Sequence, residues 1–197
     1  TILVFLSDHG DMLFDHNMVA KRCFYEGAAR VPLIMSGKPL ESWRKTVEKK
    51  LAGLADVMPT LLDLCGIPVP ESVEGISLLS KQERPYLYGE VGEGEKATRM
   101  IRWDKYKLIY YPCGNVMQLF DLEKDRGETH NCAGDHGYGQ ILEQMKGYLL
   151  ENLYGSDLEW IKDGKLAGFE PGEYKPKADY GLYNQRGYHW PVPGGYS

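Results

Sequence analysis

The sequence predicts an α/β protein in two parts: the remainder of a larger parallel-sheet α/β domain, then a small α+β subdomain with a four-stranded antiparallel sheet and a helix. Three observations predict this. Thr1-Ile2-Leu3-Val4-Phe5-Leu6 is a continuous apolar run that stops abruptly at a charged, glycine-containing turn, the pattern of a strand buried on both faces. Four short Tyr-, Ile-, Leu- and Val-rich runs follow one another between residues 85 and 122 with turn residues between them, which reads as an antiparallel meander. An apolar stripe at helical spacing then runs from Gly139 to Tyr154.

Taken in order, the opening strand leads into the loop Ser7-Asp8-His9-Gly10, at a strand end where α/β proteins gather their sites. Arg30-Val31-Pro32-Leu33-Ile34-Met35, bounded by Ser36-Gly37 and Pro39, is expected as a second strand of the same sheet. Pro32 belongs at its start or on an edge, because it has no N–H for the ladder. Trp43 to Leu54 is charged and mixed, and is expected as a weak strand after an exposed loop. A helix should follow, with Asp56 as its N-cap, Pro59 in its first turn, and Val57, Met58, Leu61, Leu62 and Leu64 as an apolar stripe anchoring the core. Gly66 supplies the left-handed C-terminal residue, and Pro68 prevents continuation.

Residues 68 to 84 read as a surface loop. The meander strands are expected at Pro85–Glu90, Thr98–Trp103, Tyr106–Tyr111 and Val116–Leu122, separated by Gly94-Glu95, Asp104-Lys105 and Cys113-Gly114-Asn115. They should pack on the last helix through Ile141, Leu142, Met145, Tyr148, Leu149 and Leu153, with Gly155 closing it. The chain is thus divided into 1–84, 85–163 and a Gly/Pro/Tyr-rich tail, 164–197. The tail cannot build a core of its own and is expected on the surface near the site mouth, free disorder being the alternative.

Composition narrows the function classes. With 197 residues, 43% hydrophobic content and a formal charge of −5, the chain is globular and lacks the basic patch of a nucleic-acid binder. No apolar run approaches the roughly 20 residues that span a bilayer, so neither nucleic acid nor membrane is an expected partner. The four cysteines form no CxxC pair, and free, partly buried thiols are expected, two disulfides being the alternative. Because Thr1 already lies inside a core-like strand, the chain is expected to be a fragment. Compartment is left open.

The chemistry concentrates at residues 7 to 33. Asp8 and His9, adjacent at a strand end, can converge on one cation, and Gly10 permits the turn; a loop with a capping Asp is the plainer reading. Asp11 and Asp15 add charge nearby, as tuning groups or as caps. His16 can be brought back by the loop or serve as a satisfied structural histidine. Lys21 is either a surface lysine or a point charge suited to a tetrahedral oxyanion.

As an ordered set these residues resemble a signature region of the type I sulfatases, in the alkaline phosphatase superfamily. The match comprises Ser7-Asp8-His9-Gly10, Asp15-His16, Lys21, Tyr25-Glu26 and Arg30-Val31-Pro32-Leu33. It continues through Asp56 to Pro68, Gly75-Ile76-Ser77-Leu78-Leu79, Tyr106-Lys107-Leu108-Ile109-Tyr110, and Leu119-Phe120-Asp121-Leu122-Glu123-Lys124-Asp125 with Glu128 and Asn131. The resemblance implies that the first part is the C-terminal portion of an alkaline phosphatase-like α/β/α sandwich. It implies Asp8 and His9 as metal ligands, Lys21 as the lysine on the sulfate, and His16 near the leaving group.

The implied reaction is hydrolysis of a small-molecule or carbohydrate sulfate ester, with a formylglycine nucleophile and a divalent metal, usually calcium. Manganese is the alternative, since a histidine ligand suits a less hard cation better. The family builds its nucleophile from Cys/Ser-x-Pro/Ala-x-Arg, and every cysteine and serine here fails that pattern. The nucleophile and the early aspartate ligands are therefore expected in the N-terminal half of the parent chain, and this piece is expected to be inactive alone. Phe14 stands where glycine is frequent and Arg126 where proline is usual. A phosphonate or phosphate ester hydrolase of the same superfamily, or a non-catalytic binding module, are the alternative readings.

Overall fold

The computed structural model describes residues 1–172 and, beyond them, one short pairing of Tyr183–Asn184 with Gly187–Tyr188. The expectation for the tail falls, past residue 172, outside the described residues. The elements are β1 (Ile2–Leu6), α1 (Glu26–Ala29), β2 (Leu33–Gly37), α2 (Val57–Leu64), β3 (Leu87–Val91), β4 (Thr98–Trp103), β5 (Tyr106–Tyr111), β6 (Val116–Asp121), α3 (Gly139–Asn152), β7 (Ile161–Lys162) and β8 (Lys165–Leu166).

The centre is the antiparallel meander β3-β4-β5-β6, whose strands fall within a residue or two of the expected runs. Its registers place Ile101 opposite Leu108 and Leu108 opposite Leu119. These three side chains point to one face, where Met145, Leu149 and Leu153 of the α3 stripe close over them. Each such fully buried aliphatic side chain contributes about 1.5–3 kcal/mol, so this face holds most of the apolar stabilisation. Leu166 and Trp160 complete the same cluster. Arg99 on β4 fixes the segment before β7 through a buried, two-pronged pair with Asp157, at 2.7 and 2.8 Å, and its guanidinium lies 5.0 Å from the Trp160 ring centroid.

The other face of the sheet is covered by the opening segment. Met12, Cys23, Phe24, Tyr25 and Ala28 pack against Ile109, Phe120 and Leu122. The central strand β5 is apolar on both sides, so a second layer is needed, and residues 12–28 supply it. Burial pushes the Cys23 thiol above its ordinary value, with Glu128 adding to the effect. All four cysteines are free.

Three expectations change. β1 is a strand, but it pairs antiparallel with β2, from Ile2 opposite Gly37 to Leu6 opposite Leu33. Leu3, Phe5 and Ile34 on one face are exposed in this chain, which spans only part of its relatives' length; the observed change is the pairing direction, which apolar content alone does not fix. Trp43 to Leu54 forms no strand. A 3₁₀ turn covers Lys38–Trp43, and further on the Glu48 carboxylate accepts the N–H groups of Lys49 and Lys50, which breaks extended pairing.

The helix α2 forms where expected, and Gly66 takes φ +68° after it, yet its stripe is not a core anchor. Only Pro59 and Thr60 are buried, and Met58 is exposed. Polar bonds hold it instead. The Asp56 carboxylate, 1% exposed, makes no cap bond to α2; it accepts the N–H of Gly53 and of Ile76, each at 2.8 Å, and pairs with the Arg84 guanidinium. Thr60 Oγ1 accepts the Leu78 N–H at 2.9 Å.

Candidate functional site

The site is built where β1 ends. Ser7 Oγ donates to the His9 carbonyl at 2.8 Å, closing the turn that presents Asp8 and His9 together. Gly10 then runs against the chain at Gly27: its N–H donates to Ala28 O at 2.8 Å, and a Cβ at Gly10 would lie 2.0 Å from the Gly27 carbonyl oxygen. Only glycine fits there. Met12 N–H donates to Ala20 O at 2.7 Å, so the loop folds back and returns Lys21 to Asp8 and His9.

Six of the eleven non-glycine residues with positive φ, among those described, fall in this loop: Leu13, Phe14, His16, Asn17, Ala20 and Arg22. Left-handed backbone costs an ordinary residue roughly 1–2 kcal/mol. The burial of Met12, Phe24 and Tyr25 against the sheet offsets that strain, which is the usual arrangement at a site.

Asp8, His9 and Lys21 meet. His9 Nδ1–H donates to Gly10 O at 2.7 Å, because a carbonyl can only accept. Its Nε2 faces the Lys21 ammonium and lies 3.2 Å from Asp8 Oδ2. Asp8 is mostly exposed. Desolvation, the largest single influence, opposes its ionisation, but the backbone N–H groups of Asp8 and His9 and the nearby His9 and Lys21 together outweigh it and hold its carboxyl below the ordinary value.

An imidazole with its far nitrogen tied to a carbonyl and its near nitrogen beside a carboxylate is a fit pair of ligands for a divalent ion. The ammonium beside them suits a bound anion.

His16 is not part of this trio. Its ring stacks on Tyr25, with centroids 4.0 Å apart and planes at 9°, and its Nε2–H donates to Gly127 O at 2.9 Å. The Tyr25 hydroxyl in turn donates to Gln118 Oε1 at 3.0 Å. A cleft of about 260 Å³, lined in part by Lys50, Asp56, Leu78, Arg84 and Trp103, lies elsewhere, and none of the four expected site residues lines it.

Beneath the loop is a buried group whose role sequence reasoning missed. The Lys107 ammonium on β5 donates to Phe24 O at 2.8 Å, Glu26 Oε1 at 2.5 Å and Glu128 Oε1 at 2.8 Å. Glu128 Oε2 also accepts the Glu26 N–H at 2.6 Å. This fastens the segment after Lys21 to the sheet. The available signal was a lysine in phase with Ile109 and Tyr111, inside an otherwise apolar central strand.

A carboxylate–imidazole pair and a lysine thus stand together at a strand end, in a segment packed on an antiparallel sheet, and the comparisons with known proteins place this fold among the sulfatases. Residues 14–154 match the family model described as N-sulphoglucosamine sulphohydrolase, C-terminal, and the chain belongs to that family. It is 37% identical over 174 residues to an arylsulfatase of Clostridium perfringens, covering 84% of this chain and 36% of that protein. It is 38% identical over 162 residues to a Delta 4,5-hexuronate-2-O-sulfatase of Bacteroides thetaiotaomicron, covering 76% and 34%. A solved structure from Bacteroides thetaiotaomicron, ascribed to the sulfatases, superposes with a TM-score of 0.70 at 36% identity over 76% of this chain and 35% of that one. The chain thus spans about a third of the length of the curated relatives it matches.

Proposed function

We propose that this chain is the C-terminal region of a sulfuric ester hydrolase and supplies one wall of its active site. The observation that carries the reading is the meeting of Asp8, His9 and Lys21 at the end of β1. Asp8 and His9 would hold a divalent cation, calcium first and manganese as the alternative, together with ligands from the N-terminal half of the parent chain. A cation held there would supply Lewis-acid polarisation to the sulfuryl oxygens. Formylglycine, the expected nucleophile, also belongs to that half.

Lys21 binds and orients the sulfate, its ammonium matching the charge that grows on the oxygens as the ester bond breaks. His16, anchored through Nε2–H to Gly127 O, would in its imidazolium form give the Nδ1 proton to the departing alkoxide and return to neutral imidazole. The segment 1–84 would close the catalytic domain and 85–163 form the subdomain, a division of chain order that the packing of residues 12–28 on the sheet bridges. The substrate class is a sulfated carbohydrate or small sulfate ester, a reading that the uronate sulfatase relative supports.

The test is hydrolysis of nitrocatechol sulfate by the parent chain with its N-terminal half present. Lys21→Ala should then lose on the order of 10² to 10³ in rate. Undiminished hydrolysis in that variant would overturn the assignment of Lys21.

A further inference from the structure

The loop between β6 and α3 gathers a second set of ligating side chains. His130, Cys132 and Asp135 place an imidazole nitrogen, a thiol sulfur and a carboxylate oxygen all within 4.8 Å of one another. His130 Nε2 lies 2.9 Å from Asp135 Oδ2. Cys132 is buried beneath them, while His130 and Asp135 are open to solvent.

The loop that carries them is fastened on every side. Asn131 Oδ1 accepts the N–H of Leu119 at 2.9 Å and of Ala133 at 3.0 Å, and its Nδ2 donates to Met117 O at 3.1 Å. The Asp135 N–H donates to Cys132 O at 3.0 Å. The His130 N–H donates to Asp125 Oδ2 at 2.8 Å. The three donors are therefore brought together by the backbone and do not need an ion to assemble them.

We propose that His130, Cys132 and Asp135 form a binding site for a borderline divalent transition ion of the zinc type. One nitrogen, one sulfur and one carboxylate oxygen make the donor set that such ions select, whereas calcium and magnesium take oxygen alone. Neighbouring ligand atoms of a tetrahedral shell stand roughly 3 to 4 Å apart, and the present separations, from 2.9 Å to at most 4.8 Å, bracket that spacing. Three protein ligands leave the fourth position to water. On binding, the Cys132 thiol gives its proton to solvent, and the sulfur–metal bond takes its place.

The ion would also clamp the stretch from Asp125 to Asp135, which includes the Gly127 carbonyl that holds His16. The proposal stands whether or not the sulfatase reading does, since no ligand is shared with Asp8 and His9.

The test is titration of the reduced chain, residues 1–197, with Co²⁺ as the spectroscopic probe. One equivalent should bind with a thiolate-to-cobalt charge-transfer band and the intense d–d absorption of a tetrahedral centre. Zn²⁺ should displace it and Ca²⁺ should not. Cys132→Ser should remove the charge-transfer band. His130→Ala and Asp135→Asn, exposed positions whose loss leaves the core intact, should each weaken binding at least about tenfold, which keeps the test decisive if Cys132→Ser does not fold. Asp8→Asn should leave the band unchanged. The absence of a thiolate band, its survival at full affinity in both His130→Ala and Asp135→Asn, or its loss in Cys65→Ser would overturn the proposal.

Discussion

Lys107 Nζ lies 2.8 Å from Glu128 Oε1, and each side chain is only 2% exposed. An ammonium taken this far out of water is tolerable only because Glu26 and the Phe24 carbonyl also accept from it. Removing one partner strands the others, at a cost of about 3–5 kcal/mol. Lys107→Met should therefore lower the unfolding free energy by that amount in urea melts of this chain, although methionine fills the space. A loss below 1 kcal/mol would mean that the charge network contributes little.

The stack of His16 on Tyr25 makes a spectroscopic prediction. The ring protons of His16 sit over an aromatic face and should resonate upfield of their ordinary positions. In Tyr25→Leu the upfield displacement should vanish while the α3 signals stay in place. The hydroxyl bond to Gln118 is lost in the same variant, at a cost of about 1 kcal/mol.

Gly10→Ala tests the close approach to Gly27. The new methyl group would stand 2.0 Å from a carbonyl oxygen, so the loop must shift and the Gly10 N–H bond to Ala28 O must break. A stability loss of about 1–3 kcal/mol is expected. Gly134→Ala, where a Cβ meets nothing within 4 Å, is the control and should show no such loss.

Alkaline titration reads the sheet core. Burial pushes the Tyr110 phenol up to about 12 from 10.0, and burial likewise raises Tyr88 and Tyr111. In the unfolded chain these phenols ionise at their ordinary value, so the unfolded state loses protons first. The stabilisation is full below pH 10 and disappears as pH rises toward 12. Tyrosinate absorbance should therefore show a late phase coincident with loss of circular dichroism. Complete, reversible ionisation near pH 10 with the fold intact would contradict the burial.

Much of this architecture is written locally. The meander follows from turn pairs such as Asp104-Lys105 set between apolar runs, and α3 from a stripe that ends at Gly155, which takes φ +56°. Asp8, His9, His16 and Lys21 stand in the sequence as one ordered motif, and the fold brings Asp8, His9 and Lys21 together. What escaped depends on partners far along the chain. Asp56 reads as a helix cap, but its acceptors are claimed by Gly53, Ile76 and Arg84. The bond of His16 to Gly127 O, 111 residues away, has no local signal, and neither does the antiparallel pairing of β1 with β2.

The opening segment shares its buried face with β5 and β6, and this has a consequence for amide exchange. Surface loops usually exchange by small local openings, at free energies far below that of global unfolding. Here Met12 and Ala28 belong to the buried cluster that Phe24 and Tyr25 form on the sheet, and the Gly10 and Met12 amides are bonded to Ala28 O and Ala20 O. They should behave as members of the slow-exchanging foldon of the meander. A molecule that binds Lys21 would then raise the protection of β5 as well as that of the loop itself.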